Sequence, residues 1–347
     1  MTTHSREPDL RRLLATYGHT THSHLFMLGD KEWFWDSEGE AVIAYRTSGS
    51  RRIALGDPVG DPGASSRVIR QFLAACRADG ALPALYQTSS ERLPFLHENG
   101  LQTVKIGEEA RIDVPAFHVN GKYWLKMRNR FNKFQRSGYT FEVMMPPHPE
   151  PILRRLETIS NEWLNGRKEK CFSVGSFSVE AVNRHPVAAL LGPNGVCEAF
   201  ASLPGGELDV RKGESAASVR SRQITVDLMR YAPSSPPGAM EVLFLWLFQW
   251  AQAKGFHRCS LGIAPLAGAD FALGKLLYRY GNAMYNFKGL YDFKNKFLPE
   301  WEPVYLAYPP RTLTRTVFTL CRIVHSTEPS TMRTSETNAV AEGVPLQ

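Results

Sequence analysis

The sequence has few of the features that mark secreted, membrane-spanning or zinc-binding proteins. Its five cysteines are an odd number, scattered without a CxxC pair, so neither a disulfide framework nor a zinc or redox motif is indicated. The N-terminus lacks the apolar core of a secretory signal. The most apolar run covers only residues 240–251, whereas a bilayer span needs ~20 residues. We therefore expect a cytoplasmic location and no membrane-spanning segment.

Common catalytic motifs are also missing. There is no GxSxG nucleophile elbow, and the GDPVG segment at residues 56–60 fits a turn better than a phosphate-binding P-loop. His19, His22 and His24 have some metal-like spacing, but no Cys or Glu lies at a suitable offset, so no metal site is predicted. These motifs therefore indicate no nucleophile elbow, no P-loop and no metal site.

What is present is typical of a folded globular protein. The chain has 347 residues, of which 43% are hydrophobic and 22% charged. Its net charge is +7, and a basic excess favours anionic partners such as nucleic acid or phospholipid headgroups. We expect a partner of that kind.

The order of apolar segments predicts an α/β (α+β) fold with two similar halves. In the first half, strands precede a helix at residues 65–79, and a strand, a second helix and a further strand follow. The second half repeats this order with a helix at 241–254, a strand at 257–263, a helix at 273–280 and a strand-like segment at 283–290.

The helix, glycine, strand ending of both halves resembles the closing unit of a GNAT acyltransferase domain. Neither half has the glycine-rich pyrophosphate loop that holds acetyl-CoA in ordinary GNAT enzymes, which points to a different donor. The predicted organisation is a first GNAT-like domain (1–118), a basic linking helix (119–138), a second GNAT-like catalytic domain (139–310), a C-terminal amphipathic helix (311–325) and a disordered tail (326–347).

The linking segment, residues 121–138, predicts an amphipathic basic helix without an acidic residue. Four bases fall within about 80° on a helical wheel, opposite an apolar arc, and two further bases complete the set. This pattern fits either a solvated face or a phosphate-binding surface, and the second is favoured because uncompensated bases repel one another. The bases are Lys122, Lys126, Arg128, Arg130, Lys133 and Arg136, and the apolar arc is Trp124, Met127, Phe131 and Phe134.

A second amphipathic segment covers residues 311–324 near the C-terminus. It could lie on a membrane surface as a basic helix, but packing of its apolar side on the body of the protein is the favoured interpretation.

Two further groups of residues are candidates for chemistry. Asp227 and Arg230 are predicted to follow a strand, where the carboxylate could orient an ammonium or accept a proton and the guanidinium could bind a phosphate. The alternative is an ion pair of Asp227 with Arg230 or Arg222. Farther along, three lysines alternate with phenylalanines, which suits an anionic ligand or a solvated strand edge; they are Lys288, Lys294 and Lys296.

Up to about Pro309 the chain resembles the catalytic domain of bacterial phosphatidylglycerol lysyltransferases, the aminoacyl-phosphatidylglycerol synthases. The resemblance rests on collinear stretches, namely ALGDPVGDP, KIGEEARIDVPAF, GKYWLKMRNRFNKFQRSGYTFEV, ISNEWL with FSVGSF, VDLMRYAPSSPPGAMEVLF, LGIAPLAG and NFKGLYDFKNKFLPEWEPVYLAYP. It implies two GNAT-like folds joined by a basic helix, and transfer of an aminoacyl group from aminoacyl-tRNA to the headgroup hydroxyl of phosphatidylglycerol. Such transfer reduces the negative charge of the membrane and is linked to antimicrobial peptide resistance.

The resemblance also implies roles for particular residues. Asp227 and Arg230 match the DxxR pair of the transfer site, and Lys294 matches the lysine of the GLRxFK motif. The basic helix would receive the tRNA, with aminoacyl-tRNA as co-substrate and no other cofactor. Further lipid or substrate contacts are expected at Glu241, Lys288 and Lys296. The enzyme would act at the inner face of the cell membrane, and whether a separate flippase moves the product stays open.

The sequence departs from this family pattern at two places. Tyr291 stands where the GLRxFK motif has arginine, and Tyr280-Gly281-Asn282 replaces a His-Gly-Glu element. These changes leave open the amino acid and the acceptor, which could be a sterol, another lipid or a peptide. A non-catalytic RNA- or membrane-binding module is the remaining alternative.

Overall fold

The structure is a computed structural model that describes residues 6–18, 20–204, 223–268 and 287–326. These ranges contain both helices and strands, so the predicted α/β (α+β) class is confirmed. The first part contains α1 (Glu7–Tyr17), β1 (Glu32–Trp35), β2 (Ala41–Ser48), β3 (Arg51–Leu55), β4 (Val59–Gly60), α2 (Pro62–Ala78), β5 (Leu82–Ser89), α3 (Leu93–Glu98) and β6 (Gln102–Asp113), with short 3₁₀ helices at Ser23–Met27 and Ser90–Arg92.

The second part begins with the basic helix and ends with a helix beyond the last strand. It contains α4 (Leu125–Arg136), β7 (Thr140–Met144), α5 (Glu150–Leu164), α6 (Val179–Val182), β8 (Val187–Leu191), β9 (Cys197–Ser202), β10 (Gln223–Thr225), β11 (Met229–Tyr231), α7 (Ala239–Ala253), β12 (Arg258–Pro265), α8 (Phe287–Asn295), β13 (Glu300–Tyr308) and α9 (Leu313–His325).

Helix α2 shows how local sequence defines these elements. Asp61 caps its N-terminus by accepting hydrogen bonds from the backbone N–H groups of Gly63 and Ala64, at 2.8 and 3.3 Å, and Pro62 occupies the first turn. The predicted apolar stripe is buried, and it consists of Val68, Ile69, Phe72, Leu73 and Cys76. The helix begins three residues earlier than predicted because the cap lies before the apolar stripe.

The strands form two sheets. The larger sheet has the order β1-β2-β3-β5-β13-β6-β12-β10, with β4 paired to β2, and the smaller sheet has the order β11-β9-β8-β7. Strand β13 lies between β5 and β6 and is antiparallel to both. The larger sheet therefore takes strands from both predicted domains, and the proposed boundaries at 118 and 139 stay a prediction.

Helices α4 and α7 connect the two sheets. Helix α4 follows the larger sheet's β6 and precedes the smaller sheet's β7, as expected for a linking helix. Helix α7 is buried on nearly all sides, and its Val242, Phe244 and Phe248 share one hydrophobic core with β6, β8 and β9. An all-round apolar helix is typical of a buried position, which explains the apolar run noted in the sequence.

The prediction of a strand-like segment at 283–290 is wrong for residues 287–290, the part of it that the structure describes. Residues 287–290 begin α8, so the lysines of this region do not lie on a solvated strand edge. The physical reason is tertiary packing, which overrides local strand propensity: Phe293 of α8 contacts Phe244 of α7 edge-to-face at 5.7 Å. The predicted helix at 273–280 and residues 283–286 lie outside the described residues.

Helix α9 packs its apolar side on the larger sheet, as the favoured interpretation predicted. Val317, Leu320 and Ile323 share a core cluster with Ile53 of β3 and Leu306 of β13. Across the described parts of the chain, no helix combines the length and the hydropathy that crossing a bilayer requires.

Candidate active site

The chain passes from the larger sheet to the smaller one at residues 226–228, and Asp227 lies at this crossing. The backbone N–H of Val226 still donates to Ser260 of the larger sheet at 2.8 Å. The next N–H, that of Asp227, donates to the carbonyl of Ser202 in the smaller sheet at 3.2 Å. The predicted position of Asp227 just after a strand is confirmed, and the crossing places its carboxylate between the two sheets.

Two groups hold the Asp227 carboxylate, whose side chain is 14% exposed. The backbone N–H of Gly175 donates to Oδ1 at 2.9 Å, and Nε2 of His24 lies 3.3 Å from Oδ2. Burial alone would raise the pKa of Asp227, but the nearby charge of His24 and the N–H of Gly175 outweigh burial and hold that pKa below its usual value. The carboxylate is therefore an anion at neutral pH.

His24 is a site residue that sequence reasoning dismissed. It lies in the short helix Ser23–Met27, and its ring meets that of His185 edge-to-face at 6.5 Å. Burial, and next the neighbouring His24, lower the pKa of His185 to about 4. The closely spaced histidines of the HTTHSH segment were the sequence signal for this residue, but their spacing was considered only as a metal-binding pattern. His19 lies outside the described residues.

Arg230 does not pair with Asp227. Its guanidinium is buried, donates to both carboxylate oxygens of Glu169 at 2.9 Å and to Ser160 at 3.2 Å, and stacks 4.5 Å from the ring of Trp163. The alternative of an Asp227–Arg230 ion pair is wrong, and Arg222 lies outside the described residues. With its charge neutralised by Glu169, Arg230 anchors the segment that carries Gly175.

Lys294 lies in α8 next to a bulge in β12. Its side chain is buried, and Nζ donates to the carbonyl of Ile263 at 2.9 Å. Burial lowers the pKa of Lys294 to about 7, although the charge of Glu109 acts in the opposite direction. The ammonium therefore exchanges its proton near neutral pH. A Cβ at Gly262 would lie 3.7 Å from this Nζ and 3.9 Å from the carbonyl oxygen of Val226, which places Lys294 beside the crossing.

A buried polar cluster around Glu109 was also missed by the sequence analysis. Ser260 of β12 donates to Glu109 of β6 at 2.5 Å, Thr21 donates to the same oxygen, and Arg111 pairs with the other oxygen at 3.0 Å. Burial would raise the pKa of Glu109, yet these partners hold it below its usual value. The cluster fixes the segment before His24 to both strands. Within the described residues, no group of three His, Cys, Asp or Glu side chains is arranged to hold a metal ion.

The basic helix forms over Leu125–Arg136, so it is shorter than the predicted segment 121–138, and its apolar arc lies against the core. Trp124 and Phe134 are buried, and Met127 and Phe131 pack beside them. Four of the predicted bases are exposed and have no carboxylate partner in the part of the chain that the structure describes. They are Lys122, Lys126, Lys133 and Arg136. These four form an uncompensated positive surface.

The other two bases are held by the protein, and one of them pairs with a carboxylate, which corrects the expectation that all six are uncompensated. Arg128 donates to the carbonyls of Val119 and Gly121, at 2.5 and 2.8 Å, and so fixes the turn before α4. Arg130 pairs with Glu241 at 3.3 Å. The same Glu241 oxygen pairs with the ammonium of one further predicted site residue, Lys296, at 2.8 Å.

The two departures from the family pattern are placed differently. Tyr291, the first departure, stacks on Trp301 of β13 at 4.7 Å. Lys288, a predicted contact residue near it in sequence, is exposed on the first turn of α8. Asn282 lies outside the described residues. Where the family pattern has a cation, this chain therefore has an aromatic side chain that packs on the sheet.

Together these side chains can bind a cation and exchange a proton in one place. The Asp227 carboxylate is ionised and keeps lone pairs beyond its two contacts, so it can accept hydrogen bonds from an ammonium or a hydroxyl. Lys294 lies beside the same crossing and can hold or release a proton near pH 7. The arrangement suits acyl transfer from an already activated ester, which needs positioning more than a covalent nucleophile.

Comparison with known proteins shows the family. A family profile described as "Phosphatidylglycerol lysyltransferase, C-terminal" matches residues 11–308. The chain is 34% identical over 324 residues to the phosphatidylglycerol lysyltransferase of Bacillus subtilis, covering 91% of this chain and 36% of that protein. It is 30% identical over 316 residues to that of Staphylococcus aureus, covering 88% and 36%. The chain thus spans about a third of the length of these relatives.

Solved structures agree with the profile. The structure of L-PGS from Bacillus licheniformis superimposes with a TM-score of 0.80 at 35% identity, covering 92% of this chain and 97% of that one. The C-terminal domain of a putative lysylphosphatidylglycerol synthetase from Agrobacterium fabrum gives 0.79 at 32% identity, with the same coverage. On these matches, and with the α/β fold and linking basic helix described above, the chain belongs to the family of phosphatidylglycerol lysyltransferase C-terminal domains.

Proposed function

We propose that the chain transfers an aminoacyl group from aminoacyl-tRNA to the headgroup hydroxyl of phosphatidylglycerol. The observation that carries this proposal is the ionised Asp227 carboxylate at the crossing between the sheets, held by His24 and Gly175, with Lys294 beside it. The names of the relatives support lysine as the amino acid and phosphatidylglycerol as the acceptor.

In the proposed reaction the lipid hydroxyl oxygen attacks the carbonyl carbon of the aminoacyl ester. The bond from that carbon to the ribose oxygen of the tRNA breaks, and the hydroxyl proton ends on the released ribose oxygen, so atoms and charge balance. Asp227 binds the α-ammonium or the accepting hydroxyl, and Lys294 supplies a positive charge or a mobile proton near the tetrahedral carbon. Arg230 acts through Glu169 as a positioning residue and does not hold a phosphate.

The basic helix supplies the donor-binding surface in this proposal. The four uncompensated bases of α4 and the turn before it match the charge of a nucleic-acid backbone, and phosphate contacts of this kind dominate nucleic-acid affinity. The acceptor is a membrane lipid, so the chain would act as a peripheral protein at the inner face of the cell membrane.

The test is a partition assay with charged tRNA. The purified chain is mixed with radiolabelled total aminoacyl-tRNA and vesicles containing phosphatidylglycerol, and label is counted in the organic phase. We expect label with the native chain and none with Asp227→Ala, while Lys254→Met, an exposed change at the end of α7, serves as control. Label in a water-soluble peptide or in another lipid would show that the acceptor is not phosphatidylglycerol. Salt-sensitive tRNA binding with no transfer to any acceptor would favour a non-catalytic module.

A further inference from the structure

Helix α9 lies outside the residues matched by the family profile, and its outward side is basic and aromatic. Arg315, Phe318 and Arg322 are all exposed, and their spacing places them on one side of the helix, which we call the outer face of α9. The Phe318 side chain is 63% exposed, the highest value among the large exposed hydrophobic residues described. Residues 313–325 contain no acid.

A buried cation, Arg51, has no counter-ion among the described residues and lies on the sheet that α9 covers. Arg51, at the start of β3, is only 7% exposed, and within the described residues its Nε has no hydrogen-bond partner and its guanidinium has no carboxylate. Burial, and next the charge of Arg315, lower the pKa of Arg51. Arg51 lies two residues before Ile53 and therefore on the same face of β3, and Ile53 packs against α9, so Arg51 lies on the side of the sheet that α9 covers. Since a buried charge without a partner is costly, an arginine that has no carboxylate among the described residues suits an anionic ligand.

The end of α9 is joined to the candidate active site by a short segment. The backbone N–H of Cys171 donates to the carbonyl of Val324 at 3.1 Å. Four residues later, the N–H of Gly175 donates to Asp227. Four residues reach at most ~14 Å, so the C-terminal end of α9 lies within about that distance of the backbone N–H that holds Asp227.

We propose that the outer face of α9, with Arg51 beneath it, docks the chain on an anionic phospholipid bilayer. Arg51 and Arg315 bind a lipid phosphate, Arg322 adds attraction to the surface, and Phe318 enters the boundary between headgroups and acyl chains. The choice of a lipid surface rests on the proposed function. An exposed aromatic side chain beside bases matches a bilayer, which is anionic outside and apolar within, better than it matches a soluble anion.

Vesicle co-sedimentation tests this proposal without requiring turnover. The full chain is mixed with vesicles of phosphatidylcholine alone or with added phosphatidylglycerol, at several salt concentrations. Arg315→Gln should weaken binding to the anionic vesicles about fivefold, as expected for the loss of one base at such a surface. Phe318→Ser should weaken it by about five- to tenfold. Matched exposed changes elsewhere, Arg77→Gln on α2 and Val196→Ser in a turn, should bind as the native chain does.

A third variant tests the buried cation. Arg51→Met removes an unpartnered charge, so it should weaken binding to anionic vesicles without lowering the melting temperature. Equal vesicle binding by the native chain and the Arg315, Phe318 and Arg51 variants would overturn the proposal. Full displacement by millimolar inorganic phosphate, or loss of tRNA binding instead of vesicle binding, would also overturn it. Vesicle binding that depends on α9 while no labelled lipid forms would retain this inference and reject the proposed transfer.

Discussion

Gly175 lies so close to Asp227 that a Cβ atom on the glycine would overlap Oδ2 of the carboxylate. The backbone N–H of Gly175 also donates to Oδ1 at 2.9 Å, and this hydrogen bond brings the carboxylate against the glycine backbone. The FSVGSF motif therefore requires glycine at this position because of a contact with a residue 52 positions later.

Gly175→Ala should reduce aminoacyl transfer by about a hundredfold, because displacing a reacting group by about 1 Å costs on that order. The fold should persist, since the overlap involves one side chain at the edge of the core. Initial rates in the partition assay measure the effect. Val174→Ala, an exposed change next to it, serves as control. Unchanged transfer by Gly175→Ala would show that the position of Asp227 does not matter.

His24→Gln should move the acidic limb of the pH–rate profile to higher pH. His24 helps to hold the pKa of Asp227 below its usual value. In the native protein the carboxylate therefore stays ionised as the pH falls, and it is protonated only below the usual pKa of an aspartate. Without His24, one of the contributions that oppose burial is lost, so the carboxylate protonates at higher pH. Profiles from pH 4 to 8 would reveal the shift. An identical acidic limb in the variant would mean that His24 does not act through Asp227.

His185 should make the protein less stable as the pH falls from about 6.5 to about 4. Its folded pKa is about 4, below the ordinary value near 6.5, so the unfolded chain binds the proton first in this window and stability falls with the pH. His185→Gln should flatten the melting temperature over this range. The exposed His118→Gln should leave the slope as it is in the native chain. Equal slopes in all three proteins would contradict the assignment.

Lys294→Met should abolish transfer and yet preserve or increase stability at pH 7. The folded pKa of Lys294 is about 7 against an ordinary value near 10.4. Burial of this lysine therefore lowers the free energy of unfolding at any pH below its ordinary pKa. As the pH increases from about 7 to about 10, the free energy of unfolding rises. Denaturant unfolding at pH 7 and pH 9 measures this. The exposed Lys254→Met should change stability by no more than ~0.5 kcal/mol. A strongly destabilised Lys294→Met would make the lysine structural.

Single changes in the basic helix should separate tRNA-binding charges from structural ones. Lys126→Gln and Lys133→Gln should each lower the slope of log affinity against log salt by about 0.7 to 0.9, since each removes one phosphate contact. Arg128→Gln should instead lower the melting temperature, because its guanidinium holds the carbonyls of Val119 and Gly121. Filter binding of uncharged tRNA at several salt concentrations measures the slopes. Equal slopes for all variants would place the tRNA elsewhere.

The sequence predicted those features that depend on local pattern. Apolar spacing predicted α2 and the buried arc of α4, and strand patterning placed Asp227 after a strand. The contacts that complete the site join distant residues: His24 meets Asp227, and Glu109 meets Ser260. Periodicity carries no information on such pairs. The sequence shows that Arg230 lies three residues after Asp227, which suggests a shared ligand. Its actual partner, Glu169, lies 61 residues away in the sequence, so local spacing does not predict this pair.

The position of β13 has a consequence for how the chain folds. Because this strand pairs with both β5 and β6, the centre of the larger sheet cannot close until residue 308 has left the ribosome. Until then β5 and β6 each have an unpaired edge, which is the kind of surface that recruits other chains. Contacts between residues this far apart in sequence form slowly. We therefore expect nascent chains that stop before residue 300 to depend on chaperones and to aggregate, even though they carry Asp227 and every base of the α4 region.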